Sequence, residues 1–291
     1  VNAMATSVGY FLEEIPLERM RPGDVYVTND PWLGTGHLFD FTVVTPAFIN
    51  DHLVGLLAST VHVVDIGGRG FGPDAGQVFE EGLCIPILPL FEQGEPSEAV
   101  MAIVRANVRE PDQVIGDLYS LTVGNAVGCS RLVEMMQEFA LNDLEEISEH
   151  IISRSRRAVL DEVAGLPQGT WDHEMIVDGY GEPVTLKASL TISEHGINVD
   201  FAGTSAVSPF GINVPLSYTQ AYASFGVRCV VASAIPNNAG SLEPIQVIAP
   251  KGCILNAPRP HAVAVRHVIG QMLPDVVLGC LEKALPGKAP A

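Results

Sequence analysis

Between residues 24 and 91 the chain alternates short apolar runs with loops rich in glycine and proline. Phe41-Thr-Val-Val-Thr45 and Leu53-Val-Gly-Leu-Leu-Ala-Ser-Thr-Val61 are short and rich in β-branched residues, so both read as buried strands with polar clusters near their ends. From Pro111 the rhythm changes. Val114, Leu118, Leu121, Asn125, Gly128, Leu132, Met135 and Phe139 recur at steps of four and three, which places them on one face of a single helix of about 25 residues. Asn125 and Gly128 interrupt that stripe: the first offers a polar handle, the second lets another backbone approach closely. A second helix is expected after Asn142, an N-cap with Glu145 placed for a capping box. Glu145 and Glu146 near its start and Arg154, Arg156 and Arg157 towards its end suit the helix dipole. The two helices are expected to pair as an antiparallel hairpin, a surface suited to subunit contact. Beyond the loop Leu166-Pro-Gln-Gly-Thr170 strands return at 173–177, 184–192 and 197–201, the last two joined by Glu194-His-Gly196 as a hairpin. Residues 216–233 and 271–285 are helical candidates, with Gly226 and Pro274 arguing against unbroken helices.

The pattern predicts a mixed α+β fold: a β-rich site-bearing region over 1–110, a central helical hairpin over 111–166, and a second α/β region over 167–291. Composition narrows the partners. With 34 acidic against 16 basic side chains in 291 residues, the formal charge of −18 repels phosphate backbones and anionic lipid, so no nucleic-acid or membrane partner is expected. The five cysteines stand singly in apolar surroundings and read as reduced, buried small hydrophobes. There is neither an apolar stretch of about 20 residues nor a signal-type opening, so a cytoplasmic protein is expected. The chain starts at Val1 inside an amphipathic segment and stops at Ala291 just after an apolar one, which reads as an internal fragment.

The candidate chemistry lies in two repeats of one spacing, His37-Leu-Phe-Asp40 and His62-Val-Val-Asp65. Imidazole with carboxylate is a ligand set for zinc, manganese or iron. The first pair closes the loop Thr28-Asn-Asp-Pro-Trp-Leu-Gly-Thr-Gly-His37, and the second precedes Ile66-Gly-Gly-Arg-Gly-Phe-Gly72. A lone His on an apolar segment is ordinarily a hydrogen-bonded core residue and an Asp beside a glycine loop a turn former, so spacing alone leaves the ligand and structural readings open. Asp30 reads as a turn residue first and a supporting carboxylate second. Of the adjacent Glu80 and Glu81, either suits a base if substrate reaches it. Asn237 and Asn238 suit an amide substrate or a turn equally. The run Gly67-Gly-Arg-Gly-Phe-Gly72 lacks the Lys-Ser/Thr of a phosphate-binding P-loop, so ATP binding by this chain is unsupported.

The segment Arg21-Pro-Gly-Asp-Val-Tyr-Val-Thr-Asn-Asp-Pro-Trp-Leu-Gly-Thr-Gly-His-Leu-Phe-Asp-Phe-Thr-Val-Val-Thr-Pro46 resembles the opening of the hydantoinase B and 5-oxoprolinase family. Further matches follow in order: His62-Val-Val-Asp-Ile-Gly-Gly68, Glu80-Glu-Gly-Leu-Cys-Ile-Pro86, Asn107-Val-Arg-Glu-Pro-Asp112, Asp200-Phe-Ala-Gly-Thr-Ser205, Ile235-Pro-Asn-Asn-Ala-Gly240 and Ile248-Ala-Pro-Lys-Gly252. The resemblance implies a subunit of an ATP-dependent cyclic amide hydrolase that opens hydantoin or 5-oxoproline rings. In an acetone carboxylase-type branch the reaction would instead carboxylate a ketone, and a non-catalytic structural subunit is the third alternative. It further implies a hetero-oligomer with a hydantoinase A-type partner that handles the ATP, and a divalent metal held by His37, Asp40 and His62, with a glutamate ligand lying before Val1. Asp65, Glu81 and Asn238 are the catalytic or supporting candidates. Arg266-His-Val-Ile-Gly270 departs from the Asn-x-Glu-Thr-Ser-like string of many members, so specificity does not carry over from any one branch.

Overall fold

The computed structural model describes residues 2–289 and has the mixed α+β architecture expected. Its contacts divide into two compact units, residues 4–72 with 79–146, and chiefly 147–291 with 73–78.

The first unit carries α1 (Asn2–Glu14, less its first two residues), β1 (Val25–Thr28), β2 (Asp40–Ile49), β3 (His52–His62), α2 (Val78–Glu81, shared at its first residue with the second unit), β4 (Leu88–Glu92), β5 (Glu95–Pro96), α3 (Glu98–Asn107) and α4 (Pro111–Glu138). Its antiparallel sheet runs β3-β2-β1-β4-β5. The β2–β3 hairpin turns on Asn50 and Asp51, both at positive φ (48° and 64°), as a two-residue type I′ turn requires. Ile49 pairs with His52 and Phe48 with Leu53, but Ala47 pairs with Gly55, so Val54 is an extra, bulged residue. Beyond the bulge the ladder runs unbroken to Asp40 opposite His62.

Residues 41–47 of β2 are buried without alternation because both faces are covered. Tyr26, Val44, Phe48, Leu53, Leu56 and Ala58 pack with Phe11 of α1 on one side. On the other lies α4, whose Asn125 side-chain amide donates to Val43 O (3.2 Å), Thr45 Oγ1 (3.3 Å) and Leu57 O (3.3 Å). One helical turn on, a Cβ at Gly128 would stand 2.2 Å from a Leu57 methyl, so the interrupted stripe is where helix meets sheet. Phe139, expected on that face, lies past the helix end and is exposed.

The second unit carries α5 (Glu145–Ala164), β6 (Gly169–Val177), β7 (Val184–Ser193), β8 (Gly196–Asp200), α6 (Leu216–Val230), α7 (Ala239–Leu242), β9 (Ile245–Ile248), α8 (His267–Gly270) and α9 (Leu273–Ala284). Its sheet runs β6-β7-β8-β9, with only β8–β9 parallel. Val184, Leu186, Ala188, Leu190 and Ile192 alternate inward against helices α6 and α9 and the Val159 and Val163 side chains of α5. Gly226 and Pro274 break neither helix. They mark where the two touch: a Cβ at 226 would meet Pro274 Cα at 2.9 Å.

Three expectations are revised. The long helices α4 and α5 divide between the units at 146/147, because α4 satisfies its apolar face on β2 and β3 while α5 buries Val159 and Val163 in the other core. The start of α5 is held by Asp143, whose Oδ1 accepts from Glu145 N–H (3.0 Å), instead of by an Asn142–Glu145 box. Of the cysteines, Cys253 and Cys280 are buried, and burial pushes the Cys280 thiol up to about 11, whereas Cys84 and Cys229 are exposed. Among the described residues no helix is long and apolar enough to cross a membrane.

Candidate metal centre

The hairpin register brings the first histidine-aspartate pair and the second histidine together at one end of the first unit's sheet. Asp40 opens β2 and His62 closes β3 directly opposite, and residues opposed in an antiparallel pair share a face. His37 reaches the same point through a turn in which Asp40 N–H bonds to His37 O. Asn29 anchors that loop, donating to Leu38 O and Leu83 O (2.8 Å each) and accepting from Ile85 N–H (2.6 Å).

His37 Nε2 lies 2.7 Å and His62 Nδ1 3.0 Å from the same oxygen, Asp40 Oδ1, and the two nitrogens are 3.2 Å apart. Each imidazole nitrogen brings either one proton or one lone pair, so at most two edges of this triangle can be hydrogen bonds; a cation would satisfy all three donors at once. The edges also carry size information. Three donors about 2.1 Å from an ion stand about 3.0 Å apart on an octahedral face and about 3.4 Å apart on a tetrahedral one. The observed 2.7, 3.0 and 3.2 Å are close enough together for one ion of that size to touch all three donors. Among the described residues this is the one His/Cys/Asp/Glu group whose donor atoms converge in this way.

Burial grades across the cluster, with His37 2%, Asp40 13% and His62 48% exposed, so it opens on the His62 side. Thr35 donates its hydroxyl to Asp40 Oδ2, leaving Oδ1 to face the imidazoles. Phe39 stacks under the His62 ring (5.3 Å between centroids, 12° between planes). Phe71, half exposed, stands edge-on to His62 at 5.2 Å and His37 at 5.9 Å. Thr35, Phe39 and Phe71 carry no sequence signal beyond lying near the histidines.

Asp65 is differently occupied. Its Oδ2 accepts from Gly67 N–H (3.1 Å) and Arg109 N–H, and its Oδ1 from the Arg109 guanidinium, which also reaches Gly67 O and Gly68 O. Burial alone would raise its pKa, but these donors outweigh that and hold the carboxyl below its ordinary value. Asp65 thus clamps the glycine loop that leads to Phe71. Glu81 is fully buried in the first unit, and Asp30 accepts from Trp32 N–H (3.0 Å) as a turn residue does. Asn238 lies in the second unit as the N-cap of α7, accepting from Ser241 N–H (3.1 Å) and donating to Ser155 Oγ (2.8 Å).

The model of the hydantoinase B/oxoprolinase family matches residues 1–291. A putative D-/L-hydantoinase B-type subunit of Pseudomonas sp. (strain NS671) is 29% identical over 287 residues, 92% of this chain and 48% of that protein, so the chain spans about half the length of this relative. The crystal structure of ATP-dependent caprolactamase from Pseudomonas jessenii superposes with a TM-score of 0.89 at 24% identity, covering 99% of this chain and 51% of that one. A nucleotide-free acetone carboxylase structure gives 0.80 at 18%, covering 96% and 39%. At these identities the likeness to the two structures is one of fold.

Proposed function

This chain belongs to the hydantoinase B/oxoprolinase family, and we propose that it serves there as the metal-bearing part of an ATP-dependent cyclic amide hydrolase, working with a hydantoinase A-type partner that activates the substrate with ATP. The observation that carries the reading is the convergence of His37 Nε2, His62 Nδ1 and Asp40 Oδ1 on one point. Two histidines and a carboxylate are a donor set for manganese, iron or zinc. A metal ion held there would polarise a carbonyl oxygen and lower the pKa of bound water towards about 7.

The remaining roles belong to the chain itself. His37, buried, and Asp40, partly buried, form the floor of the site; His62 is its solvent-side wall. Thr35 keeps Asp40 turned so that one oxygen serves the site. The two phenyl rings of Phe39 and Phe71 flank the imidazoles with apolar surface that excludes water and suits the methylene edge of a lactam or hydantoin ring. Asp65 and Arg109 position the loop bearing Phe71. The surplus of negative charge draws a cation to the site.

Elemental analysis of the purified chain and of His62→Ala tests the reading. One manganese, iron or zinc ion per chain, lost in the variant, is expected; no bound metal in either protein defeats the proposal. Co-expression with a hydantoinase A-type partner should then give ATP hydrolysis that depends on an added cyclic amide and is lost in the same variant. Metal binding without it would leave a structural role for the chain.

A further inference from the structure

The second unit holds a cavity of about 530 Å³ between the outer face of α6 and the loop that follows it. Tyr222, Phe225, Arg228 and Cys229 line it from the helix; Ser233 and Asn237 line it from the loop. Its volume falls within the range of small-molecule sites, roughly 300–1,000 Å³.

The walls are built. Arg228 donates to Val231 O, Ala232 O and Ile235 O, and Glu162 accepts from Ala232 N–H (3.1 Å). Ala232 sits at φ 54°, a conformation that only such fixing sustains. Just beyond, Asn238 closes the α7 cap and ties to Ser155. The aromatic wall is braced too: Tyr222 stacks on Tyr218 at 4.2 Å, and the buried Arg266 guanidinium lies 4.6 Å over Tyr218.

The charge inside this frame selects the ligand. Arg228 brings five N–H groups, of which three are spent on loop carbonyls. Among the described residues no carboxylate lies within ion-pair distance of it, although acidic side chains outnumber basic ones 34 to 16 in the chain. Burial pulls its pKa below the ordinary arginine value, with Glu162 opposing from a distance, so its guanidinium is under-solvated. A partly desolvated guanidinium beside a preformed pocket gains most from a planar anion, which it can grip with two N–H groups. Tyr222 and Phe225 offer apolar faces for the body of that anion, and Ser233 and Asn237 add polar groups at the loop side.

We propose that this cavity is a binding site for a small carboxylate carrying an apolar ring or chain, with the carboxylate on Arg228 and the apolar body between Tyr222 and Phe225. The site belongs to the second unit and stands independently of the metal reading.

Cys229 reports on occupancy, because it lines the cavity and is exposed; Cys84, exposed in the first unit, is the internal control. Iodoacetamide labelling of the whole chain, resolved by peptide mass mapping, would be followed against benzoate and against benzamide, its uncharged isostere. Benzoate should slow labelling of Cys229 saturably by about fivefold or more at millimolar concentration and leave Cys84 unchanged. Benzamide should need about tenfold more to do the same, since it lacks the charge-assisted contact. Ala221→Phe, which fills the cavity from the α6 side, should abolish the benzoate dependence. Arg228→Met would also release three loop carbonyls, so the comparison in the unaltered chain decides. The same slowing at Cys84, no slowing at either cysteine, or equal protection by benzamide each overturns the assignment.

Discussion

Two single-residue deletions in β3, five positions apart, should have opposite effects on the metal centre. Deleting Ser59 leaves residues 52–58 in register and moves His62 into the place of Val61, opposite Phe41. That displaces His62 by about 3.4 Å along the strand and turns its ring to the other face of the sheet. A metal site tolerates errors of about 0.2 Å, so the contacts of 3.0 Å and 3.2 Å that His62 Nδ1 makes now cannot be kept. One of three donors is lost, at a cost of at least about a hundredfold in metal affinity, or roughly 2.7 kcal/mol. Deleting Val54 removes the one residue with no partner across the ladder. Ala47 already pairs with Gly55 and Asp40 with His62, so both pairings survive and affinity should stay within about threefold of the starting value. Both changes shorten the same edge strand by one residue, which matches the general damage to the sheet. Manganese titration by calorimetry, with circular dichroism to certify the fold, separates them. A folded Ser59 deletion that binds metal normally, or a folded Val54 deletion that does not, would refute the claim that the bulge sets the site.

Thr35→Val should weaken metal binding about 10- to 100-fold by removing the hydroxyl that orients the Asp40 carboxylate, and Thr35→Ser should restore it; chelator competition measures both. In α4, Gly124→Ala meets nothing within 4 Å and should stabilise by about 0.8–1 kcal/mol through helix propensity, whereas Gly128→Ala must push Leu57 aside, at about 1–3 kcal/mol, and should be neutral to destabilising in urea melts. Equal stabilisation by both would mean that α4 does not press on β3. Because the folded pKa of Asp65 is depressed, its contribution is complete above the unfolded value near 4 and is lost as pH falls through the folded one. Asp65→Asn should therefore cost about 1–2 kcal/mol at pH 7, Arg109 being largely exposed, and the gap to the unaltered chain should close below about pH 4.

The periodicities along the chain were legible because each reports only on its own element. Alternation from Val184 to Ile192 gives β7, and the four-three stripe from Val114 gives α4, whatever lies opposite. What covers each stripe is a different kind of information. The apolar faces of α4 and α5 look alike in sequence, yet one is satisfied by the β2–β3 hairpin and the other by the core of the second unit.

The same distinction explains the site. The residue types His37, Asp40 and His62 announced ligand chemistry, but the separation of 25 residues between the histidines closes only through a hairpin whose register depends on one bulged residue. Val54 looks like any other apolar strand residue, and without its bulge Asp40 would face Val61. Asp65 shared the His-x-x-Asp spacing of Asp40 and so looked equivalent to it. The difference is position relative to the ladder: Asp40 is its first residue, held across from His62, while Asp65 lies past its end, where Arg109, 44 residues on, captures it. Spacing counts residues along a chain, whereas ligation needs atoms on one face at one level of a sheet. Where the ladder is continuous the two coincide, and where it stops they part, so of two identical motifs only the one that begins a strand supplies its carboxylate to the cluster.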